Sequence, residues 1–219
     1  MGLREDKAAL VRFWQRTGTV KDENIIKAFE KVPRENFVSP GYELEAYRDY
    51  PLPIGHGQTI SQPTTIMVMT KYLDVRSGQN ILEVGTGSGY QAALLGNLAG
   101  DNGSVYTIEI IGKLADKARR NIESVGLRNV HVIESDGSMG YEKAAPYDRI
   151  IVTAACPSIP ETLAEQLKEG GIIIAPVGEI SFGQDLLKAT KINGKLESVN
   201  LGKFTFVPLK GRHGFIDED

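Results

Sequence analysis

The run Glu83-Val84-Gly85-Thr86-Gly87-Ser88-Gly89-Tyr90 places three glycines at alternate positions between a short apolar stretch and an Ala/Leu-rich one. A glycine turn from strand to helix lets the backbone approach a ligand closely and allows positive φ. The spacing is G-x-G-x-G, not the G-x-G-x-x-G of dinucleotide-binding turns. Two acids follow in register. Glu109 closes the next apolar stretch, where a carboxylate can accept hydrogen bonds from both ribose hydroxyls. Asp136, in Ser135-Asp136-Gly137, follows the third stretch, where it can meet an adenine edge. Each acid alone also reads as a solvated turn residue, and the glycine turn alone as an unliganded connection. Their shared register weighs against coincidence.

The elements that must hold these residues are legible as periodicity. Residues 80–84, 104–109, 130–134, 148–153 and 171–175 are apolar runs of strand length. Helical patterns occupy 92–98 and 112–125, with Gly126 as a stop. Strands apolar on both faces, alternating with helices, predict an α/β fold: a doubly wound, mostly parallel sheet covered on both sides. Residues 186–192 and 196–206 flank Asn193-Gly194 and predict an antiparallel hairpin on a two-residue turn. Ahead of the sheet, 3–16 reads as a helix with Leu10, Val11, Phe13 and Trp14 on its core face. A second helix starts at the cap Asp22 and ends before Pro33. Residues 39–63, with Pro40, Pro51, Pro53 and Pro63, read as stiff but irregular, and a helix resumes near Thr64. The acidic tail 216–219 is expected to fray. The parts are an N-terminal helical and loop extension (1–75), a sheet core (76–183) and a C-terminal hairpin with tail (184–219) of the same domain.

L-E-V-G-T-G-S-G-Y, then Glu109, then Asp136-Gly137 resembles the class I S-adenosylmethionine-dependent methyltransferases, which share a Rossmann-like sheet and differ in what they append. Here the appended piece holds Pro53-Ile54-Gly55-His56-Gly57-Gln58-Thr59-Ile60-Ser61-Gln62-Pro63. P-I-G-x-G-Q-T-I-S-x-P ahead of that turn resembles the protein-L-isoaspartate O-methyltransferases. Ile151-Val152-Thr153-Ala154-Ala155, Pro176-Val177-Gly178 with Gln184-Asp185-Leu186, and Phe206-Val207-Pro208-Leu209 agree with it. Cys156, where a small Ala is expected, and the tail Lys210-Gly211-Arg212-His213 depart from it.

The resemblance implies repair of aged protein. Asn-Gly and Asp-Gly sites pass through a succinimide to isoaspartyl linkages, and this chain itself carries Asn102-Gly103 and Asn193-Gly194. The implied reaction moves a methyl group from S-adenosyl-L-methionine to the free α-carboxylate of L-isoaspartyl residues, with D-aspartyl residues as further candidates, in damaged proteins and peptides. S-adenosyl-L-homocysteine is the other product. The core 76–183 then binds the cofactor, and 1–75 contributes to the substrate site. Implied cofactor contacts are Gln58, Thr59, Glu83, Gly85, Thr86, Gly87, Ser88, Gly89, Glu109, Asp136, Gly137 and Gln184. Implied substrate contacts are Ile54, His56, Ser61 and Val207, with Ser61 catalytic.

Such chemistry asks little of acids and bases. The nucleophile is a carboxylate, ionised at neutral pH, so alignment in a closed, low-polarity site must lower the barrier. The Ser61 hydroxyl can hold one carboxylate oxygen, although a Ser ahead of Pro63 also reads as a helix cap. Gln58 and Thr59 read equally as loop self-bonding, and Ile54 and Val207 as core. His56 is better suited to positioning than to base chemistry, and His131, mid-strand, to structure. Trp14 reads as core.

Composition sets outer bounds on the 219-residue chain. It is 41% hydrophobic and 24% charged, the usage of a globular chain rather than a disordered or fibrous one. Lys and Arg total 25 against 28 Asp and Glu, a formal net charge of -3, which argues against an affinity built on phosphate neutralisation. One cysteine excludes an intramolecular disulfide and a Cys-cluster metal site, and no metal is expected. Residues 1–14 lack a signal-like apolar run and no stretch approaches the ~20 apolar residues of a membrane helix. A cytoplasmic monomer without nucleic-acid or membrane partners is expected. A base-modifying methyltransferase would favour an N/D-P-P-Y/F motif where Thr153-Ala154-Ala155-Cys156-Pro157 stands. A cofactor-binding module would not need Q-T-I-S. A nicotinamide oxidoreductase would need G-x-G-x-x-G and a Tyr-Lys or His pair.

Overall fold

The computed structural model describes residues 2–215; the tail 216–219 lies outside them. The first amphipathic segment forms α1 (Leu3–Thr17), which buries Leu10, Val11 and Trp14. Phe13 falls off that stripe at 3.6 residues per turn and is 40% exposed, so only Trp14 of the pair joins the core. Asp22 caps α2 (Glu23–Lys31), its carboxylate accepting from the N–H groups of Asn24 and Ile25.

The segment 39–63 is less irregular than its prolines imply. It holds the antiparallel strands β1 (Leu52–Gly55) and β2 (Gln58–Ile60), with Leu52 opposite Ile60 and Pro53 opposite Thr59. The ribbon has no third strand, so a proline that cannot donate costs it little. Its turn runs through three consecutive positive-φ residues, Gly55, His56 and Gly57. Directly after it, Pro63 occupies the first position of α3 (Pro63–Leu73).

From there the chain alternates as its periodicity predicts: β3 (Asn80–Val84), α4 (Tyr90–Ala99), β4 (Ser104–Glu109), α5 (Gly112–Ser124), β5 (Val130–Glu134) and β6 (Tyr147–Val152). A short α6 (Glu161–Gln166), absent from the sequence reading, runs without a turn into β7 (Leu167–Val177). The hairpin strands are β8 (Gln184–Ile192) and β9 (Lys195–Phe204). β7 is longer than the apolar run 171–175 because Lys168, Glu169 and the two glycines after them hide its first half.

The strands form one seven-stranded sheet in the order β5-β4-β3-β6-β7-β8-β9. The first five are parallel, and the hairpin continues the sheet antiparallel at β7. Alternate residues feed opposite faces. Ile81, Ile151 and Ile174 pack with α1–α4 in one apolar cluster; Leu82, Ile150, Val152 and Ile173 pack with Leu163 of α6 in a second. Chain order reverses between β3 and β6, which puts the topological switch, and the ligand crevice such sheets form, at their carboxyl ends.

Candidate active site

The glycine turn leaves β3 at the switch point. Gly85, Gly87 and Gly89 all have positive φ. A Cβ on Gly85 would stand 2.5 Å from Thr153 Oγ1, so glycine is required there for space as well as conformation. The N–H groups of Gly85 and Thr86 both donate to the Ile108 carbonyl. Glu109, at the end of β4, is 6% exposed; its Oε2 accepts the Gly87 N–H at 2.8 Å and its Oε1 the Ile111 N–H at 3.0 Å. One carboxylate thus ties the turn to the start of α5 while lining the crevice, with lone pairs left for a ligand.

Glu83 sits beneath the turn, fully buried. Thr86 donates to the Thr107 hydroxyl (2.7 Å), which donates to Glu83 Oε2 (2.6 Å). Its other oxygen, Oε1, is buried with no hydrogen-bond partner among the described residues, as is the Tyr90 hydroxyl beside the same cavity. Burial first, and the Glu109 charge after it, push Glu83 up to about 8, against the pull of the Thr107 hydrogen bond.

The β1–β2 ribbon is the facing wall. A Cβ on Gly87 would lie 3.3 Å from Ile54 Cδ1, so this buried side chain packs on the turn. Gln58 and Thr59 line the crevice with Val84, Gly85, Gly87, Glu109, Gly137, Thr153 and Val207. A second cavity, behind the turn, meets Thr59, Ser61, Glu83, Thr86, Ser88, Tyr90 and Gln91. A groove outside runs along Pro51, Ser61, Gln62, Thr65, Val68, Phe204, Thr205 and Val207. Thr59 and Thr153 line all three spaces, and Ser61 lines the second cavity and the groove.

Ser61 is not the helix cap. Gln62 is the cap residue of α3, and the freed Thr64 N–H donates instead to Asp49 Oδ1 at 2.9 Å. The Thr64 hydroxyl donates to Asp49 Oδ2 and accepts from Trp14 Nε1. The Ser61 hydroxyl has no partner among the described residues, whereas its carbonyl accepts from Arg34 Nη2 at 2.7 Å. Arg34 is fully buried, donates through Nε to the Ala46 carbonyl, and lies 5.1 Å from the Tyr90 ring centroid. Its role left no trace in the sequence, since nothing marks an arginine in a 3-10 turn as buried. Thr153, in the I-V-T-A-A run, is a further residue of the crevice that the sequence does not single out; its hydroxyl donates to the Gly85 carbonyl at 2.6 Å.

Other expected residues lie apart from the crevice lining. Asp136 accepts from the Ser138 N–H and hydroxyl through Oδ1 and from the Arg212 N–H through Oδ2, so it fastens the C-terminal tail; Gly137, its neighbour, does line the crevice. Gln184 is fully buried, donating to the Glu179 carbonyl and accepting from the Phe206 N–H. His56 is exposed at the ribbon tip. Gly89 packs against Ile122 and Ala118 of α5. His131 is exposed on the edge strand β5, its ring 5.0 Å from that of Tyr106. Cys156 is buried and pushed up to about 12 by that burial, which removes it as a nucleophile.

These residues fit a cationic nucleoside donor: an unpartnered buried carboxylate oxygen, a second acid at the end of β4, and a glycine cradle that side chains would fill. The model of the family described as protein-L-isoaspartate(D-aspartate) O-methyltransferase matches residues 5–214. The chain belongs to that family. A protein-L-isoaspartate O-methyltransferase of Methanoculleus marisnigri is 46% identical over 215 residues, 98% of this chain and 96% of that protein. One of Methanothrix thermoacetophila is 49% identical over 195 residues, 89% and 91% of the two chains. A solved structure described as protein-L-isoaspartate O-methyltransferase superposes with a TM-score of 0.87 at 31% identity, over 95% of this chain and 67% of that one. A Plasmodium falciparum structure bearing the same family name, in complex with S-adenosyl-L-homocysteine, gives 0.81 at 26% identity, over 92% and 97%.

Proposed function

We propose that the chain transfers a methyl group from S-adenosyl-L-methionine to the α-carboxylate of L-isoaspartyl residues in damaged proteins and peptides. The observation that carries the residue roles is the convergence of three spaces on Thr59 and Thr153, with the unpartnered Ser61 hydroxyl between two of them. When bound, the cofactor supplies a methyl group on a sulfonium, already electrophilic. Gly85, Thr86, Gly87, Ser88 and Gly137 shape its cradle, Glu109 takes the ribose side, and Glu83 takes a positive charge. Gln58 and Thr59 cover it from the ribbon. Ser61 donates to one oxygen of the incoming carboxylate and turns the other toward the crevice. Ile54 and Val207 flank the peptide, and Arg34 fixes the Ser61 turn through its carbonyl. Gln184 acts through the Phe206 backbone, Asp136 through the tail, and His56 at the mouth. No group is asked to remove a proton, because the substrate arrives ionised.

In this reading the extension before residue 76 supplies the substrate wall, 76–183 the cofactor wall, and Lys203 to Val207 of the C-terminal part the far side of the groove. Among the described residues no helix is long and apolar enough to cross a membrane. We propose further that the protein works as a cytoplasmic monomer on protein substrates, with D-aspartyl residues as further candidates, and not on nucleic acid. The test is methyl-labelled cofactor offered to two peptides identical but for Asp and isoAsp. Label should enter the isoAsp peptide alone and leave in mild alkali, as an ester does; equal labelling, or alkali-stable label, contradicts the proposal.

A further inference from the structure

The β8–β9 hairpin turns on Asn193-Gly194, with Ile192 opposite Lys195. Both turn residues have positive φ, 52° and 75°, as in a type I′ turn. Both backbone N–H groups donate to one carboxylate. Asn193 N–H meets Glu169 Oε1, and Gly194 N–H meets Glu169 Oε2 at 3.1 Å. Glu169 lies on the neighbouring strand β7. Lys191 fastens the same end of the hairpin, its Nζ donating to the carbonyls of Ala164 and Leu167 at 2.7 and 2.9 Å.

An Asn-Gly pair ages when the glycine nitrogen attacks the asparagine side-chain carbon. The N–Cγ bond forms, the Cγ–Nδ2 bond breaks, and the backbone proton leaves with the side-chain nitrogen as ammonia. Water then opens the succinimide to an aspartyl or isoaspartyl linkage. Two things must happen first: the nitrogen gives up its proton, and the side-chain branch swings over it. A carboxylate accepting the Gly194 N–H makes that proton harder to remove, because the developing negative nitrogen would face a negative oxygen.

We propose that Glu169 guards the Asn193-Gly194 tip against succinimide formation, so that this exposed hairpin stays out of the pool of isoaspartyl chains. This protection does not depend on the methyl-transfer chemistry. Asn102-Gly103 needs no such guard. Gly103 is buried, its N–H donates to the Gly100 carbonyl at 3.0 Å, and a Cβ on it would strike Ala99 at 2.7 Å, so packing immobilises it.

The test incubates the purified full chain and its Glu169→Gln variant under warm, mildly alkaline conditions, then counts Asn, Asp and isoAsp at 193 and 102 by peptide-mapping mass spectrometry. Conversion at 193 should be about fivefold or more faster in the variant, the factor that about 1 kcal/mol of lost hydrogen bonding makes. Conversion at 102 should be the same in both. Equal rates at 193, or an intact wild-type chain converting there as fast as a urea-denatured one, overturn the proposal. Amide hydrogen exchange on the unaltered protein does not depend on the variant folding: Gly194 N–H should exchange well below the free-peptide rate, and exchange at that rate overturns the proposal equally.

Discussion

Burial holds the Glu83 carboxyl at about 8 with one oxygen unpartnered, and this ties the stability of the ligand-free protein to pH. Below the ordinary value of 4.5 both folded and unfolded chains keep the proton and no penalty exists. Between 4.5 and about 8 the unfolded chain releases it and the folded chain does not, so stability falls as pH rises; above about 8 the full cost of a buried charge is present. In urea titrations the Glu83→Gln variant should lose that downward slope; an unchanged slope would reassign it to other groups. A cation arriving at Glu83 draws the carboxyl into its ionised form, so cofactor binding near neutral pH should release a proton, seen as a buffer-dependent heat. Ser61 carries the second test at this scale. Ser61→Ala should lower kcat about tenfold to a hundredfold, the worth of one hydrogen bond to a charged group, with cofactor affinity nearly unchanged. A lost affinity with kcat intact would move Ser61 to the cofactor.

At the scale of elements, the ribbon and the start of α3 are what the site depends on, and they were the least legible part of the chain. Strands of four and three residues, two prolines and a turn of three positive-φ residues leave no alternation to read. The Q-T-I-S run was legible as a motif although its backbone was not. The glycine turn was legible as both, since alternate glycines after an apolar strand have a steric reason visible in Gly85 against Thr153. Asp49 and Arg34 were invisible because their partners, Thr64 and the Ser61 carbonyl, are reached only across the fold. Arg34→Lys keeps the charge and loses the planar fork that bridges the Ala46 and Ser61 carbonyls. It should cost about 1–3 kcal/mol for a carbonyl left unpaired. It should also lower kcat while the cofactor Kd holds. A loss of stability without any change in kcat would make Arg34 structural alone.

Across the whole molecule, the parallel core was readable because buried strands at regular spacing admit few topologies, and the hairpin because Asn193-Gly194 marks its turn. That the hairpin would extend the same sheet, and that Phe206 and Val207 would thereby return to the groove beside Ser61, follows from pairing between β7 and β8 that no local pattern encodes. The tail shows the same limit: the Arg212 N–H reaches Asp136 Oδ2 from far along the chain, a contact that no local pattern announces. In the proposed function one crevice aligns an ionised acid and a methyl donor, with geometry as the whole of catalysis. A crystal grown with S-adenosyl-L-homocysteine and an isoaspartyl peptide tests it most directly. The nucleoside product should lie along Gly85–Ser88 and Glu109, and the peptide α-carboxylate against the Ser61 hydroxyl. Product bound elsewhere, or the carboxylate seated on His56 away from Ser61, would contradict it.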